Sequence, residues 1–377
     1  MTPPIAPIAV NFGLAFILST LLTPLVRLLS IRQGWIAQPR SDRWHKKPTA
    51  LMGGIAIFAA LAVPMAFLSD FRSILLQLIK ANGLGAVPSI AATICIGATF
   101  LFCVGLIDDR RNIKPHNKLI AQILTASLVV FLGFRLHWFA SLTLDTLATV
   151  FWIVGITNAF NLIDNMDGLC AGVGFVAAGA FAVLYFPASS EAFGVALILA
   201  GAMSGFLIYN FNPAKIFMGD CGSLVIGFSI SVLSLYSSES ASPTQLARIA
   251  VPVLVLLVPI MDTTLVTFIR LLSGRKASTG GRDHTSHRLV LMGFSEKSAV
   301  LFLYGVGAVA GFAAVFVSRS DTLTSPAVII PVTIAIILMG VYLSQLRVYP
   351  EKEFSVLRDR SFTPILMELT YKRQLIL

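Results

Sequence analysis

The chain has 377 residues, of which 56% are apolar and only 12% charged, with 28 Lys and Arg against 18 Asp and Glu. A soluble domain carries about twice that share of charge, and at this size surface-to-volume scaling leaves no way to hide so much apolar surface from water. Soluble globular, disordered, coiled-coil and disulfide-scaffold classes are excluded, and the composition reads as an all-α polytopic integral membrane protein.

Eleven stretches approach the roughly 20 apolar residues that a helix needs to cross hydrocarbon. They are Ile8–Leu29, Leu51–Ser69, Ser89–Ile107, Leu119–Phe134, Leu144–Phe160, Ala171–Phe186, Phe193–Phe211, Leu224–Tyr236, Ile249–Leu272, Ala299–Val317 and Ala327–Leu346. The fourth, fifth, sixth and eighth are short, so ten crossings is the alternative count. The start, Met1-Thr-Pro-Pro-Ile5, has no basic residue, which predicts a retained first span rather than a cleaved leader. Taken on alternate sides, one set of connections holds 23 of the 28 basic residues; the other holds Arg72, Lys80, Arg135, Arg248 and Arg319. The positive-inside rule then places the N-terminus outside and the C-terminus in the cytoplasm. The basic excess is topological, and nucleic acid is not an expected partner. Cys95, Cys103, Cys170 and Cys221 form no Cys-x-x-Cys pair, so neither a disulfide framework nor a zinc site is expected. Residues 1–346 read as one transmembrane domain. Residues 347–377 read as a cytoplasmic tail whose Phe354, Leu357 and Phe362 suit the inner membrane surface.

Carboxylates in or beside spans are costly, so each marks a potential site, and most fall in connections of the cytoplasmic side. In chain order, the segment Arg40-Ser-Asp42-Arg-Trp-His45-Lys46-Lys47 combines cations with a following Gly53-Gly54; it reads as an anion-binding entrance or as an ordinary basic loop. Gly105-Leu-Ile-Asp108-Asp109 precedes Lys114 and Lys118. Adjacent carboxylates repel, and a divalent cation or a bound cationic group relieves the repulsion; a solvated cap paired with Arg110 and Arg111 is the simpler reading. Asn158, Asn161, Asp164 and Asp167 recur every three residues and so form one polar stripe on a helix. That stripe suits either a site or a helix–helix hydrogen-bond seam. In Phe217-Met-Gly-Asp220-Cys-Gly222-Ser223 the glycines permit close approach to a ligand, although Asp220 also suits a helix cap. Asp262 lies within the ninth apolar stretch, between Pro259 and Arg270; it is expected to partner a nearby cation such as Arg270 or to stand behind the site. Last comes the cationic loop Ser273–Arg288, with Arg282, Asp283, His284, His287 and Arg288. Its Arg, Lys and Gly residues suit a phosphate, its two histidines are weak evidence for zinc, and a plain basic loop is the alternative. Asp145 and Glu191 fall on the opposite side and are expected to take no part.

Acids that need a hard cation thus share one membrane face with cations that suit phosphates. That is the division of labour of Mg²⁺-dependent phosphoryl transfer. The position at the membrane surface points to one water-soluble and one lipid-borne substrate.

These motifs, in this order over most of the chain from about Arg40 to Gly311, resemble the polyprenyl-phosphate N-acetylhexosamine-1-phosphate transferase family, glycosyltransferase family 4. The resemblance rests on Gly105-Leu-Ile-Asp-Asp109, Asn158-Ala-Phe-Asn-Leu-Ile-Asp-Asn-Met-Asp-Gly168, Phe217-Met-Gly-Asp220 with Gly222-Ser223, and His284-Thr-Ser-His287-Arg288. It implies an enzyme of the bacterial cytoplasmic membrane that moves a sugar-1-phosphate from a UDP-N-acetylhexosamine to undecaprenyl phosphate, releasing UMP. It further implies Mg²⁺, with Mn²⁺ as substitute, held by Asp220 and Asn161. Asp108 and Asp109 would be the catalytic pair beside the lipid phosphate, as base or nucleophile, with Asp164 between the catalytic and binding roles. Asp167 would read the uracil, Lys118 would meet a phosphate, and Lys46 or Lys47 would support the nucleotide. His284, His287, Arg288 and Arg282 would face the diphosphate or sugar. The branch handling UDP-MurNAc-pentapeptide carries three consecutive histidines in the last loop; this loop departs from that pattern, which argues against that substrate and leaves GlcNAc-1-phosphate as the default and another N-acetylhexosamine as the alternative. A homo-oligomer is compatible with such a chain.

Two readings from other classes compete. An ion-coupled secondary transporter is suggested by Asp262 between prolines, as in a broken helix, but it would place its polar groups near the midplane. A membrane scaffold predicts no dependence on any single Asp.

Overall fold

Lipid offers no partner to a backbone N–H or C=O, so apolar segments satisfy themselves as helices. The computed structural model describes residues 5–38, 48–68, 89–186, 190–240, 244–276, 281–346 and 348. Among them the order is α1 (Ile5–Arg32), β1 (Ile36–Ala37), β2 (Thr49–Ala50), α2 (Gly54–Leu68), α3 (Ile90–Arg111), α4 (Pro115–Phe131), α5 (Leu142–Ile163), α6 (Leu169–Tyr185) and α7 (Ser190–Asn210). Then follow α8 (Asp220–Ser240), α9 (Gln245–Val255), α10 (Leu257–Leu272), α11 (Thr285–Leu291), α12 (Glu296–Ser318) and α13 (Thr324–Ser344). Helices α1, α3, α5, α7, α12 and α13 are long and apolar enough to cross a membrane, and α2, α6 and α8 contain shorter apolar helices. The chain is an all-α polytopic membrane protein.

Each of the eleven apolar stretches falls on helix, but the ninth is not one rod. It breaks between α9 and α10, whose axes differ by 77°. Pro252 lies inside α9, where it removes a backbone donor, and Pro259 sits in the first turn of α10, where no donor is needed.

Helix α8 forms the axis of the bundle. Leu224, Val225, Ile226, Phe228, Ile230, Val232 and Leu233 are all fully buried, and α8 packs against α2, α3, α5, α6, α7 and α9. Its N-terminal end touches α3 closely. A Cβ on Gly105 would stand 2.5 Å from Cys221 Cα and 2.7 Å from the Asp220 carbonyl carbon, so only glycine lets α3 bring its last turn this near. Helix α13 is the opposite case: Ile330, Ile334, Ile337, Leu338 and Val341 are exposed, an apolar surface suited to lipid.

A small sheet joins the site to the first helices. β1 and β2 pair antiparallel, Ile36 opposite Ala50, and Ala50 bridges in parallel to Ile216. Phe217 N–H donates to Ala50 O, Gly53 N–H to Phe217 O and Gly54 N–H to Met218 O, each at 2.8 Å. The segment leading into Asp220 is therefore stitched along the chain that follows β2. The basic loop between β1 and β2, including Lys46 and Lys47, lies outside the described residues, as does the tail 349–377.

Asp145 and Glu191 stand far from Asp108 and Asn161, at the other ends of α5 and α3. Both hold backbone there. Asp145, 6% exposed, accepts the N–H groups of Trp138 (3.0 Å) and Phe139 (2.9 Å). Glu191 accepts from Ala91 N–H (3.2 Å) and from the Ser89 hydroxyl. Replacing Asp145 by Ala removes the acceptor of two backbone N–H groups, a loss of about 1–2 kcal/mol. Thermal unfolding of Asp145→Ala in detergent should show a lower midpoint with unchanged activity per folded molecule; an unchanged midpoint contradicts the anchoring role.

Candidate active site

Four chain segments meet at one end of the bundle: the last turn of α3, the first of α4, the last of α5 and the first of α8. Asn112 takes a left-handed conformation (φ 48°) that ends α3, and Pro115 opens α4. This sharp reversal returns Lys118 alongside α3. Its Nζ lies 2.5 Å from Asp108 Oδ2 and also contacts Asp220 Oδ2. One ammonium thus bridges two carboxylates from helices more than a hundred residues apart. Asp108 Oδ1 accepts the Ile113 N–H at 2.6 Å.

The adjacent Asp109 has a different set of contacts. Its Oδ1 accepts the Asp220 N–H (2.7 Å) and its Oδ2 the Cys221 N–H (3.1 Å). These are the first amides of α8, otherwise without helical partners, and a carboxylate there also meets the positive end of the helix dipole. Gly219 turns the chain into α8 with φ 71°, and a Cβ there would fall 2.6 Å from Asp109 Oδ2. The two neighbouring acids, expected as one pair, are divided between a lysine contact and a backbone clamp.

The polar stripe of α5 is divided as well. Asn158 pairs with Gln122 of α4, its Nδ2 donating to Gln122 Oε1 at 2.6 Å; this residue belongs to a helix–helix seam. Asn161, one turn on, donates from Nδ2 to Asp220 Oδ1 (2.8 Å) and Ser223 Oγ (2.9 Å), so it faces the acids. Asp164 is the residue that ends α5. Asp167 Oδ2 accepts Ala214 N–H (2.9 Å) and Asn212 Nδ2 (3.3 Å), and Asn212 also donates to Glu296 Oε2 (2.8 Å).

The histidine loop hooks onto the same end of α5. Ser286 Oγ donates to Asn165 Oδ1 at 2.7 Å. Of the two expectations for Asp262, a cation partner such as Arg270 or a place behind the site, the contacts follow the second: Oδ2 faces His284 Nδ1 at 2.8 Å, while Oδ1 accepts the Thr285 N–H at 2.6 Å. Arg270 forks onto Asp283, Nε to Oδ2 at 2.8 Å and Nη2 to Oδ1 at 2.6 Å. Burial pushes the Asp283 carboxyl up, but the hydrogen bonds and charge of Arg270 outweigh it and hold it below the usual carboxylate range. Arg288, read as a substrate contact, is 2% exposed. Its guanidinium donates to the carbonyls of Asp283, Leu343 and Leu346, each at 2.9 Å, which ties the loop to the end of α13. Arg282 is half-buried at the loop's start. Asn165, Gln122, Ser223 and Glu296 escaped attention in the sequence, although Asn165 and Ser223 stand inside quoted motifs.

The fold and the acid-lined end of the bundle define a polytopic membrane protein with a polar centre at one end of its helices. The family model for glycosyl transferase family 4 matches residues 91–238, the stretch that holds Asp108, Lys118, Asn161 and Asp220. The chain is 33% identical over 326 residues to a probable undecaprenyl-phosphate N-acetylglucosaminyl 1-phosphate transferase of Bacillus subtilis, covering 84% of this chain and 86% of that one. It is 30% identical to a decaprenyl-phosphate N-acetylglucosaminephosphotransferase of Mycolicibacterium smegmatis (86% of each chain). It is also 30% identical to a phospho-N-acetylmuramoyl-pentapeptide-transferase of Bacillus mycoides (79% and 94%). The chain belongs to glycosyl transferase family 4, the polyprenyl-phosphate N-acetylhexosamine-1-phosphate transferase family.

Burial, and after it the charge of His284, pushes the His287 imidazole down from the ordinary 6.5 to about 4. Between those values the unfolded chain binds a proton that the folded chain refuses. The stability contributed by the neutral ring is complete above pH 6.5 and is lost as pH falls towards 4, a span of about 3 kcal/mol. The melting temperature of the wild type should therefore fall more steeply over this range than that of His287→Gln; parallel curves contradict the assignment.

Proposed function

We propose that the protein transfers an N-acetylhexosamine-1-phosphate, GlcNAc-1-phosphate, from its UDP-sugar to undecaprenyl phosphate, giving undecaprenyl-diphosphate-GlcNAc and UMP. The observation that carries this reading is the bridge of Lys118 between Asp108 and Asp220, beside Asn161. The names of the Bacillus and Mycolicibacterium relatives point the same way for acceptor and sugar. A lipid-phosphate oxygen attacks the phosphorus next to the sugar. The bond from that phosphorus to the bridging oxygen breaks, and UMP carries the bridging oxygen away. Asp109 is engaged by the α8 backbone, which leaves Asp108 as the acid to take the last proton from the lipid phosphate. Lys118 holds Asp108 in place and meets incoming phosphate. Asp167 and Asp164 stand on the nucleotide side, with Lys46 or Lys47 supporting it, and Arg282, His284 and His287 on the sugar-diphosphate side.

The donor set fits Mg²⁺. Among the described residues no three His, Cys, Asp or Glu side chains stand ready to hold a metal, so a closed protein cage is not available. Mg²⁺ does not use one: it binds through one or two carboxylates, waters and substrate phosphates. Asp220, whose side chain is 29% exposed, and Asn161 would hold it, with Mn²⁺ as substitute. When bound it would neutralise charge building on the diphosphate.

The excess of basic residues on one side supports a cytoplasmic active face in the bacterial inner membrane, N-terminus outside. The carrier alternative loses its main support: the broken helix is present, but its Asp262 is bonded to His284 and Thr285.

Membranes containing the protein, supplied with sugar-labelled UDP-GlcNAc, undecaprenyl phosphate and Mg²⁺, should move label into lipid and release UMP. EDTA should abolish transfer, and Asp220→Asn should cut it at least about 10²-fold at normal expression. Full activity in Asp220→Asn overturns the metal assignment; no transfer from any UDP-N-acetylhexosamine overturns the reaction.

A further inference from the structure

Asp262 has no part in the chemistry described so far, although its partner His284 stands on the proposed sugar-diphosphate side. Asp262 is 2% exposed and His284 4% exposed. An ionised carboxylate only accepts hydrogen bonds. Asp262 Oδ1 takes the Thr285 N–H at 2.6 Å and Oδ2 faces His284 Nδ1 at 2.8 Å. With both oxygens accepting, the proton between Oδ2 and the ring belongs on Nδ1.

We propose that Asp262 is a positioning residue: it fixes the His284 ring with the proton on Nδ1, so that Nε2 is the atom offered to the sugar-diphosphate substrate. The inference rests on the transferase reading for the identity of that substrate. The surrounding contacts hold the pair in one pose. The Arg270–Asp283 fork fixes the residue before His284. Ser286 hooks onto Asn165, between Asp164 and Asp167. Arg288 ties the loop to α13. The break between α9 and α10 sets the direction of the helix that carries Asp262. A histidine whose tautomer is set by a buried carboxylate is a recurring device for presenting the opposite ring nitrogen in a defined state.

The hydrogen bond from Thr285 makes the idea testable by an isosteric change. In Asp262→Asn the Thr285 N–H selects the side-chain oxygen, since it needs an acceptor. The amide NH₂ then occupies the position facing His284 and donates to Nδ1. Both hydrogen bonds survive, yet the ring proton is forced to Nε2. Where an Asp sets a catalytic histidine in this way, the same replacement keeps the geometry and removes orders of magnitude of rate.

The chain has five histidines, His45, His116, His137, His284 and His287, few enough for ¹⁵N-histidine NMR of the intact protein in micelles, with His284→Gln to assign the signal. Above the ordinary imidazole pH range, wild-type His284 should carry its proton on Nδ1 and Asp262→Asn should carry it on Nε2. Turnover of Asp262→Asn should fall on the order of 10²- to 10⁴-fold, with the melting temperature unchanged and Asp262→Glu recovering part of the rate. An unprotonated Nδ1 in the wild type, or Asp262→Asn with wild-type turnover, overturns the proposal. The NMR result needs no activity, so failure of the transferase reading, seen as no transfer by the wild type, is distinguishable from failure of this one.

Discussion

A lysine held between two carboxylates organises the centre of this protein. Asp108, Asp109 and Asp220 come from two helices at the end of an apolar bundle, where bare carboxylates would repel each other and resist leaving water. Lys118 touches two of them, and the N-terminal amides of α8 take the third. Much of the local architecture serves that arrangement. The left-handed Asn112 and Pro115 turn α4 back so that Lys118 arrives. Gly105 lets α3 close on α8, and Gly219 makes room for Asp109. The stitched segment 216–218 fixes where α8 begins.

The same cluster has a charge deficit. Three carboxylates and one ammonium leave two negative charges, at the place where two phosphate-bearing substrates are proposed to meet. An anionic centre facing anionic substrates works only with further positive charge. The proposed Mg²⁺ at Asp220 and Asn161 would supply part of it, and the basic segments that the sequence assigns to that face would supply the rest. The histidine loop has the opposite character: Asp283 and Asp262 each have a nearby partner, Arg270 and His284. Residues 283–288 of that loop are a fixed wall rather than a free cationic arm.

What was legible in the sequence follows from what each signal depends on. Apolar length is local, so all eleven stretches landed on helix; the 77° break in the ninth is a matter of how α9 and α10 pack, and its prolines only hinted at it. Carboxylates near lipid are conspicuous, so Asp108, Asp109 and Asp220 were singled out, and the polar spacing on α5 picked out Asn161. Their division of labour was not visible, because Asp109's partners lie 111 and 112 residues away. Spacing by three grouped Asn158 with Asn161, yet the helix turns just enough for one to meet Gln122 and the other Asp220. Asp262 was matched with the nearest cation along its own helix, while a loop 22 residues on supplied His284. Arg288 looked like a phosphate ligand because it is an arginine in a basic loop; its backbone partners at Leu343 and Leu346 could be found only in three dimensions.

The central claim is that a sugar together with its phosphate moves, not the sugar alone. UDP-GlcNAc carrying ³²P only in the phosphate next to the sugar separates these directly. With purified protein and undecaprenyl phosphate, the account predicts ³²P in the lipid product in equal amount to unlabelled UMP. Sugar reaching lipid while ³²P stays in UDP would contradict it.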